Sequence, residues 1–212
     1  MTVLIRASEL QTLNYCEYQL FLSNNTFLPN FSKPELSNER VKGIQAHKLI
    51  DEKFLNRSKG KISLLQFLTE NKKRFRTRPD ACGVMLVWEN DGYRLVGRLD
   101  EIISSFAGIF IVENKASTYA YVGMKNQTRS YCLLLKKNFE KEIGQKNIYG
   151  LLKSTRTGKF FWKELFGVQE ERIILEELER IKQIKLGQLN PQKVNGNKCN
   201  YCQWKEKCKK LA

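Results

Sequence analysis

Gly97-Arg98-Leu99-Asp100 and Ile111-Val112-Glu113-Asn114-Lys115 are the two segments that decide the predicted fold. In the first, an aspartate ends an apolar strand pattern; in the second, a strand ends in Glu-x-Lys. Because side chains alternate along a strand, Glu113 and Lys115 point to the same side of the sheet. Acidic groups on neighbouring strands, with a lysine beside them, suit a divalent cation and a water molecule that attacks phosphorus. The two segments therefore predict a sheet that carries a site for phosphodiester hydrolysis.

The side chains of this predicted site have different tasks. A carboxylate among apolar strand residues is costly to bury unless it is paired or bound to metal, as with Asp100 and Glu113. If their strands pair as a hairpin, both carboxylates reach one cation. The peptide carbonyl of Asn114 offers a further ligand, since hard cations accept carbonyl oxygen. The Lys115 ammonium is suited to orient the attacking water and to offset the charge that grows on phosphorus.

Charge and composition indicate which class of partner the protein binds. The chain has 212 residues, 42% of them hydrophobic, and 37 Lys and Arg against 22 Asp and Glu, a net charge of +15. This excess favours a polyanion such as nucleic acid, although a lysine-rich proteome gives the same balance. The basic segments 53–78 and 193–210 are candidate DNA-binding surfaces or simply solvated faces.

The ends and apolar runs of the sequence indicate a cytoplasmic protein. No apolar run approaches the ~20 residues that span a bilayer, so no membrane partner is expected. The N-terminus is charged at Arg6, too soon for a signal peptide. In the cytoplasm, six cysteines are more typical of metal ligands or free thiols than of disulfides.

Periodicity predicts an α/β protein with three layers and a central mixed sheet. A Ser8/Gln11 capping box opens a first helix from Glu9 to about Ser23. The other predicted helices span about 39–56, 63–75, 123–137 and 168–186. The predicted strands span about 84–88, 93–104, 109–116, 147–153 and 159–162. We see no internal repeat, and the whole chain, 1–212, is expected to form one domain.

Three polar residues on predicted helices are candidates for the same site. His47, the only histidine, is more often an ordinary surface or core residue than a ligand when taken alone. Gln127 and Tyr131 are four residues apart and therefore share one helix face. Beside a carboxylate site, that pair could hold a phosphate or a base by hydrogen bonds and stacking.

The chain resembles the RecB-like nucleases of the PD-(D/E)XK superfamily in the order and spacing of four motifs: Gly43 to His47, Gly97 to Asp100, Glu113 to Lys115, and Gln127 to Tyr131. The resemblance implies a restriction-endonuclease-like fold. It also implies that His47, Asp100 and Glu113 hold Mn²⁺ or Mg²⁺ and that Lys115 assists the nucleophile. The helix with Gln127 and Tyr131 would contact DNA. The third motif has Glu where many members have Asp, and both are accepted there.

Four of the cysteines form a candidate cofactor site. Cys199, Cys202 and Cys208 follow a C-x₂-C-x₅-C spacing near the C-terminus, and Cys16 is the fourth candidate. Four thiolates hold either Zn²⁺ or an iron–sulfur cluster, and spacing alone favours zinc. The distribution between the two ends resembles the iron–sulfur staple of a RecB-like subgroup that includes the CRISPR-associated Cas-four exonucleases and the AddB nuclease domain.

This second resemblance implies a [4Fe-4S] cluster and a division of the chain. Residues 39–165 would form the catalytic core, while residues 1–38 and 166–212 would form the iron–sulfur clasp and a helical flank. It further implies 5′→3′ exonuclease activity on single-stranded DNA ends, with an endonuclease mode beside it. The implied setting is CRISPR spacer acquisition together with the integrase proteins. The alternative function is a catalytically inactive nucleic-acid-binding module stabilised by zinc.

Overall fold

The computed structural model describes residues 2–24, 41, 45, 48 and 79–210. Its strands, in chain order, are β1 (Val3–Arg6), β2 (Ala81–Asn90), β3 (Tyr93–Ser105), β4 (Gly108–Lys115), β5 (Ile148–Ser154) and β6 (Phe160–Leu165). Its α-helices are α1 (Ala7–Tyr15), α2 (Glu17–Asn24), α3 (Val122–Asn138), α4 (Glu140–Ile143), α5 (Val168–Lys185) and α6 (Lys205–Lys210), with a 3₁₀ helix at Asn197–Tyr201. The predicted α/β class with a central mixed sheet is confirmed.

The described strands form one mixed sheet in which β3 has three partners. β2 pairs with one edge of β3 in antiparallel orientation. The other edge of β3 pairs first with β1, in parallel, and then with β4, in antiparallel orientation. The β1 pairing ends at Val96 and the β4 pairing begins at Glu101, so residues 97–100 lie between these two partners. We call residues 97–100 the gap segment; it is the Gly-Arg-Leu-Asp stretch of the sequence.

The hydrophobic core lies between the sheet and the helices α1, α3 and α5, and apolar side chains of all three helices are buried in it. Gly97 allows α3 to lie directly on the gap segment. A Cβ atom at this position would come within 2.7 Å of Leu134 Cδ1 and 2.8 Å of Tyr131 Cε1. Glycine is therefore the residue that lets α3 bring its polar side chains down to the sheet.

The N-terminal region differs from its prediction in three ways. Residues 3–6 form strand β1, which was not predicted. The first helix begins at Ala7, where the backbone N–H of Arg6 donates to Glu9 Oε2 at 2.8 Å, so the predicted Ser8/Gln11 capping box is wrong. The predicted single helix is interrupted at Cys16, whose backbone is extended (φ −168°, ψ 119°).

The remaining predictions agree with the structure to within a few residues wherever the structure describes the chain. The predicted turns at Asn90–Gly92 and around Ser105–Gly108 join β2 to β3 and β3 to β4. The helices predicted over 39–56 and 63–75 fall largely outside the described residues, as does His47. Val41, Gln45 and Lys48, which are described, have helical conformation.

Candidate active site

Asp100 and Glu113 come together at the point where β3 and β4 separate. The last pair at this end of their ladder is Glu101 with Val112, so one further step in register puts Glu113 opposite Asp100. The Asp100 side chain takes part in holding the two strands together here, because its Oδ2 accepts a hydrogen bond of 2.8 Å from the backbone N–H of Asn114. The two acids predicted to share a site therefore point to the same face of the sheet.

The electrostatics of Glu113 are those of a buried carboxyl beside another acid. Only 3% of its surface is exposed. The pKa of Glu113 is raised to about 7, and burial is the main cause of the shift. The Lys115 ammonium opposes the shift, and the Asp100 charge adds to it. Among the described residues, Glu113 Oε2 is buried and has no hydrogen-bond partner. A divalent cation between the two carboxyls would satisfy this oxygen and neutralise both charges, so the residues present fit Mg²⁺ or Mn²⁺.

Lys115 is fixed by three oxygen atoms. Its Nζ lies 2.9 Å from Glu113 Oε1, and it donates to Gln127 Oε1 at 2.7 Å and to Gln11 Oε1 at 3.1 Å. An ammonium group has three N–H donors, so these contacts match its full capacity. The amine is therefore held in one position next to the acids, while 15% of the side chain remains exposed.

Gln127 and Tyr131 share a face of α3, as predicted, and that face meets the acids. Gln127 Nε2 donates to Tyr131 Oη at 2.8 Å. Burial raises the pKa of Tyr131 well above its usual value, and the charges of Glu113 and Asp100 add to the shift. Each of the two residues is only 5% exposed. In the structure they therefore support Lys115 and border the carboxyls from inside the protein.

Two features of the site were not predicted from the sequence: the contact of Gln11 with Lys115, and a polar cluster of Glu101, Asn114 and Lys153 on the opposite face of the sheet. Asn114 Nδ2 donates to Glu101 Oε1 at 2.8 Å, and Lys153 Nζ contacts the same oxygen at 3.0 Å. The hydrogen bond to Glu101 holds the Asn114 side chain away from Asp100 and Glu113. The Asn114 peptide remains beside Asp100, to which its N–H donates. Because successive side chains of a strand point to opposite faces, the sequence could have placed Glu101 on the face opposite Asp100. Nothing in the sequence marks the contact of Gln11 beyond its place on an amphipathic helix.

The predicted metal ligand His47 lies outside the described residues, so the structure does not place it. Within the parts of the chain that are described, no group of three or more His, Cys, Asp and Glu side chains is arranged to hold a metal ion. The described part of the carboxylate site thus contributes two acidic side chains, Asp100 and Glu113.

The four predicted cluster cysteines line one cavity of about 200 Å³ between the N- and C-terminal segments: Cys16, Cys199, Cys202 and Cys208. All are free thiols. Burial raises the pKa of Cys202, and the other three cysteines raise it further. Beside them, Gln19 Oε1 is buried and makes no hydrogen bond within the described part of the chain. The four thiols therefore share one cavity, although in the described part of the chain they are not arranged as a metal-binding group.

The other two cysteines, Cys82 and Cys132, do not line this cavity. Cys132 is fully buried among apolar residues of the core, as a small hydrophobic residue would be, and burial raises the pKa of its thiol. Cys82 is a partly buried residue of β2.

The comparison with protein families agrees with the carboxylate–lysine geometry. Residues 55–209 match the family described as the PD-(D/E)XK nuclease superfamily. The chain belongs to this superfamily. The matched region contains Asp100 and the Glu113-Asn114-Lys115 motif, which has the (D/E)XK form of the family name. As a PD-(D/E)XK nuclease, the protein is a hydrolase that acts on DNA, and nucleases of this superfamily typically use divalent metals such as Mg²⁺ or Mn²⁺.

A solved structure shares the fold of this PD-(D/E)XK nuclease. A structure named "Putative exonuclease", from Eubacterium rectale, is 13% identical with a TM-score of 0.51, covering 92% of this chain and 86% of that chain. A structure of SSO0001 is 14% identical with a TM-score of 0.47, covering 96% of this chain and 85% of that chain. A search of curated proteins finds no match. None of the described helices is long and apolar enough to cross a membrane.

Proposed function

We propose that this PD-(D/E)XK nuclease is a metal-dependent DNA exonuclease that degrades single-stranded ends, 5′→3′, with an endonuclease mode beside it. The observation that supports the chemistry is the convergence of Asp100, Glu113 and Lys115 on one face of the sheet, with a buried Glu113 oxygen that lacks a donor. The polarity and the preference for single strands follow from the resemblance of the motifs to RecB-like nucleases.

In this proposal Asp100, Glu113 and the peptide carbonyl of Asn114 hold the metal, and His47 completes the set. A bound Mg²⁺ or Mn²⁺ lowers the pKa of water and offsets negative charge on the scissile phosphate. Asp100 is oriented for this task by the Asn114 N–H, and Asn114 is itself held by Glu101 on the opposite face.

In this proposal Glu113 turns to the metal, which releases one N–H of the Lys115 ammonium to position the attacking water and to stabilise the charge that develops on the phosphoryl oxygens. The other two N–H groups stay on Gln11 and Gln127, which define where the ammonium lies. Gln127 and Tyr131 are positioning residues because they act through Lys115 and the carboxyls.

Hydrolysis of labelled single-stranded DNA in Mn²⁺ tests the chemistry. The wild-type protein should progressively shorten a 3′-labelled strand, and Asp100→Ala and Lys115→Ala should each abolish cleavage while keeping the fold. The matched control is Lys141→Ala, which removes an exposed lysine of α4 and should still cleave. Equal digestion by wild type and both site variants would refute the assignment of these residues. No digestion by any form would favour the inactive binding module.

We further propose that the four cysteines hold a [4Fe-4S] cluster that fastens the C-terminal segment to the end of α1. The supporting contacts are those between the two segments: Tyr15 Oη donates to the Lys198 carbonyl at 2.6 Å, and Lys198 Nζ donates to the Tyr15 carbonyl at 3.1 Å. In this arrangement 1–38 and 166–212 serve as the clasp and flank of the catalytic core, 39–165. Protein purified without oxygen should be brown and should release iron and sulfide. A colourless, zinc-loaded protein would replace this proposal with a zinc site.

The biological setting that we propose is DNA processing in the cytoplasm for CRISPR spacer acquisition, with the integrase proteins as partners. The support is the resemblance of the cysteine pattern to the Cas-four subgroup. Co-purification of the tagged protein with the integrase from cells that express both is the expected result. Separate elution of the two at micromolar concentration would place the nuclease in another DNA-processing pathway.

A further inference from the structure

We propose that Tyr119 and Tyr121 form a platform on which unpaired bases of single-stranded DNA stack beside the nuclease site. The inference rests on the proposed function and deepens it, because it names the residues that would distinguish a single strand from a duplex. It concerns the loop 116–121, which joins β4 to α3, and the neighbouring turn between β5 and β6.

The two tyrosine rings are presented to solvent. Tyr119 is 67% exposed and Tyr121 is 57% exposed, and their ring centroids lie 5.0 Å apart at an interplanar angle of 61°. The backbone beneath them is ordered by Ser117, whose hydroxyl donates to the Tyr119 carbonyl at 3.0 Å and accepts from the Tyr119 N–H at 2.9 Å. Two adjacent exposed rings leave open aromatic faces, which is the form of surface that bases stack on.

Both ends of this loop are attached to the active site. The loop begins directly after Lys115, so the Cα of Tyr119 lies within about 14 Å of the Lys115 Cα by chain length alone. It ends at α3, where Gly123 packs so closely on α1 that a Cβ would lie 2.9 Å from the Gln11 carbonyl oxygen. Since Gln11 itself binds Lys115, the tyrosines are within a few nucleotides of the acids.

The turn between β5 and β6, which carries positive charge, lies beside the end of β4. The N–H of Thr155 donates to the Lys115 carbonyl at 2.8 Å, so the β5–β6 turn abuts the end of β4. Arg156 and Lys159 of this turn are exposed. Phosphates that pass over the turn would meet these cations, and bases that pass over the loop would meet the tyrosines. Only unpaired bases expose the faces needed, so the occupant that fits is single-stranded DNA.

The test is binding of a fluorescent single strand of about 12 thymidines, within the range of site sizes known for stacking platforms. Binding is measured by anisotropy in EDTA with the full chain, so that cleavage does not contribute. The Tyr119→Ala/Tyr121→Ala double variant should bind this strand roughly ten-fold or more weakly than wild type. The Tyr119→Phe/Tyr121→Phe variant keeps both ring faces and should bind as wild type does.

Two controls separate stacking from other losses. An abasic strand of the same length retains the phosphates but lacks bases, so wild type and the double alanine variant should bind it equally. Phe106→Ala removes a ring that is 72% exposed in the turn between β3 and β4, at the opposite end of this hairpin from the acids, and should not weaken binding. Melting temperatures of the variants should match wild type because the rings are exposed.

Unchanged thymidine binding by the double alanine variant would overturn the platform. So would an equal loss on the abasic strand, or an equal loss in Phe106→Ala. These outcomes are independent of the nuclease assay, which uses Mn²⁺ and variants of Asp100 and Lys115 and leaves the tyrosines intact. A protein that binds through the tyrosines but does not cleave would disprove the proposed reaction, and one that cleaves without needing the tyrosines would disprove only the platform.

Discussion

At the scale of single residues, the site depends on how completely the Lys115 ammonium is held. Its three partners come from three elements: Glu113 on β4, Gln127 on α3 and Gln11 on α1. Glu113 and Gln127 were predictable because each belongs to a short motif with its own spacing. Gln11 was not, because its partner is 104 positions away in the sequence and nothing local marks the contact.

Removing the Gln11 acceptor should lower turnover without unfolding the protein. We expect Gln11→Ala to reduce kcat roughly ten-fold and to leave KM nearly unchanged, since its side chain contacts the Lys115 ammonium and acts by positioning it. Gln11→Glu keeps an oxygen at this distance and should recover most of the activity. Single-turnover cleavage of a labelled strand measures both. A change confined to KM would instead place Gln11 in substrate binding.

Titration of Glu113 should make the stability of the metal-free protein depend on pH. The pKa of Glu113 is raised to about 7 in the fold from 4.5, so the folded state binds a proton that the unfolded state has lost between these values. Its contribution is complete below about pH 4.5 and disappears as the pH rises through 7. The free energy of unfolding of wild type, measured in EDTA, should therefore fall relative to Glu113→Gln from about pH 5 to pH 8.

The control for this titration is Glu89→Gln, which changes an exposed carboxyl on β2. It should follow the wild-type curve over the whole range. Added Mn²⁺ should compete with the proton, so metal affinity should increase as the pH rises towards 7. A wild-type curve parallel to that of Glu113→Gln would show that Glu113 does not titrate in this range.

At the scale of elements, helix α3 and the gap segment form the unit that assembles the site. The strands β2 to β6 and the helices α3 and α5 were predictable because their apolar periods are long and their turns carry Gly or Asn. Strand β1 has only four residues, too few for a period to show, and its partner lies about 90 residues away. The interruption at Cys16 has no glycine or proline to mark it, so sequence alone gave a continuous helix.

A methyl group at Gly97 should push α3 away from the sheet. Gly97→Ala places a carbon within 2.8 Å of the Tyr131 ring and 2.7 Å of Leu134, so we expect a loss of about 1–3 kcal/mol in the free energy of unfolding. Activity should fall further, because Gln127 is on the same helix. Urea denaturation and cleavage rates measure the two effects.

The double variant Gly97→Ala/Leu134→Ala tests the cause. It creates room for the new methyl group next to Leu134, so its free energy of unfolding should exceed the value expected from adding the two single losses. Strict additivity would mean that the clash with Leu134 does not explain the instability.

At the scale of the whole molecule, the two chain ends pack on each other around the cysteine cavity. Arg180 of α5 contacts Glu17 of α2 at 2.6 Å, and the N–H of Gln192 donates to the same carboxyl at 2.9 Å. The sequence indicated this association only through four cysteines at opposite ends. The contacts around them depend on tertiary packing, which local patterns do not encode.

A cofactor that joins Cys16 to the three C-terminal cysteines should stabilise the fold by closing a long loop. Protein prepared without oxygen should lose a few kcal/mol of unfolding free energy in Cys16→Ser, by analogy with disulfide loops of similar length. Cys82→Ser, at a partly buried cysteine outside the cavity, is the matched control and should change little. After removal of the cofactor, wild type and Cys16→Ser should melt together.

Along one edge of β3, the gap segment leaves an opening between the strand pairing with β1 and the strand pairing with β4. Its flanks are held by strand pairing on both sides, so the opening keeps its width while the reacting groups sit on stiff backbone. Loops and terminal segments outside the opening can then diverge during evolution. Such changes would alter which DNA substrates bind without moving Asp100, Glu113 or Lys115. A search for altered substrate preference should therefore randomise the surroundings of the opening and leave its frame untouched.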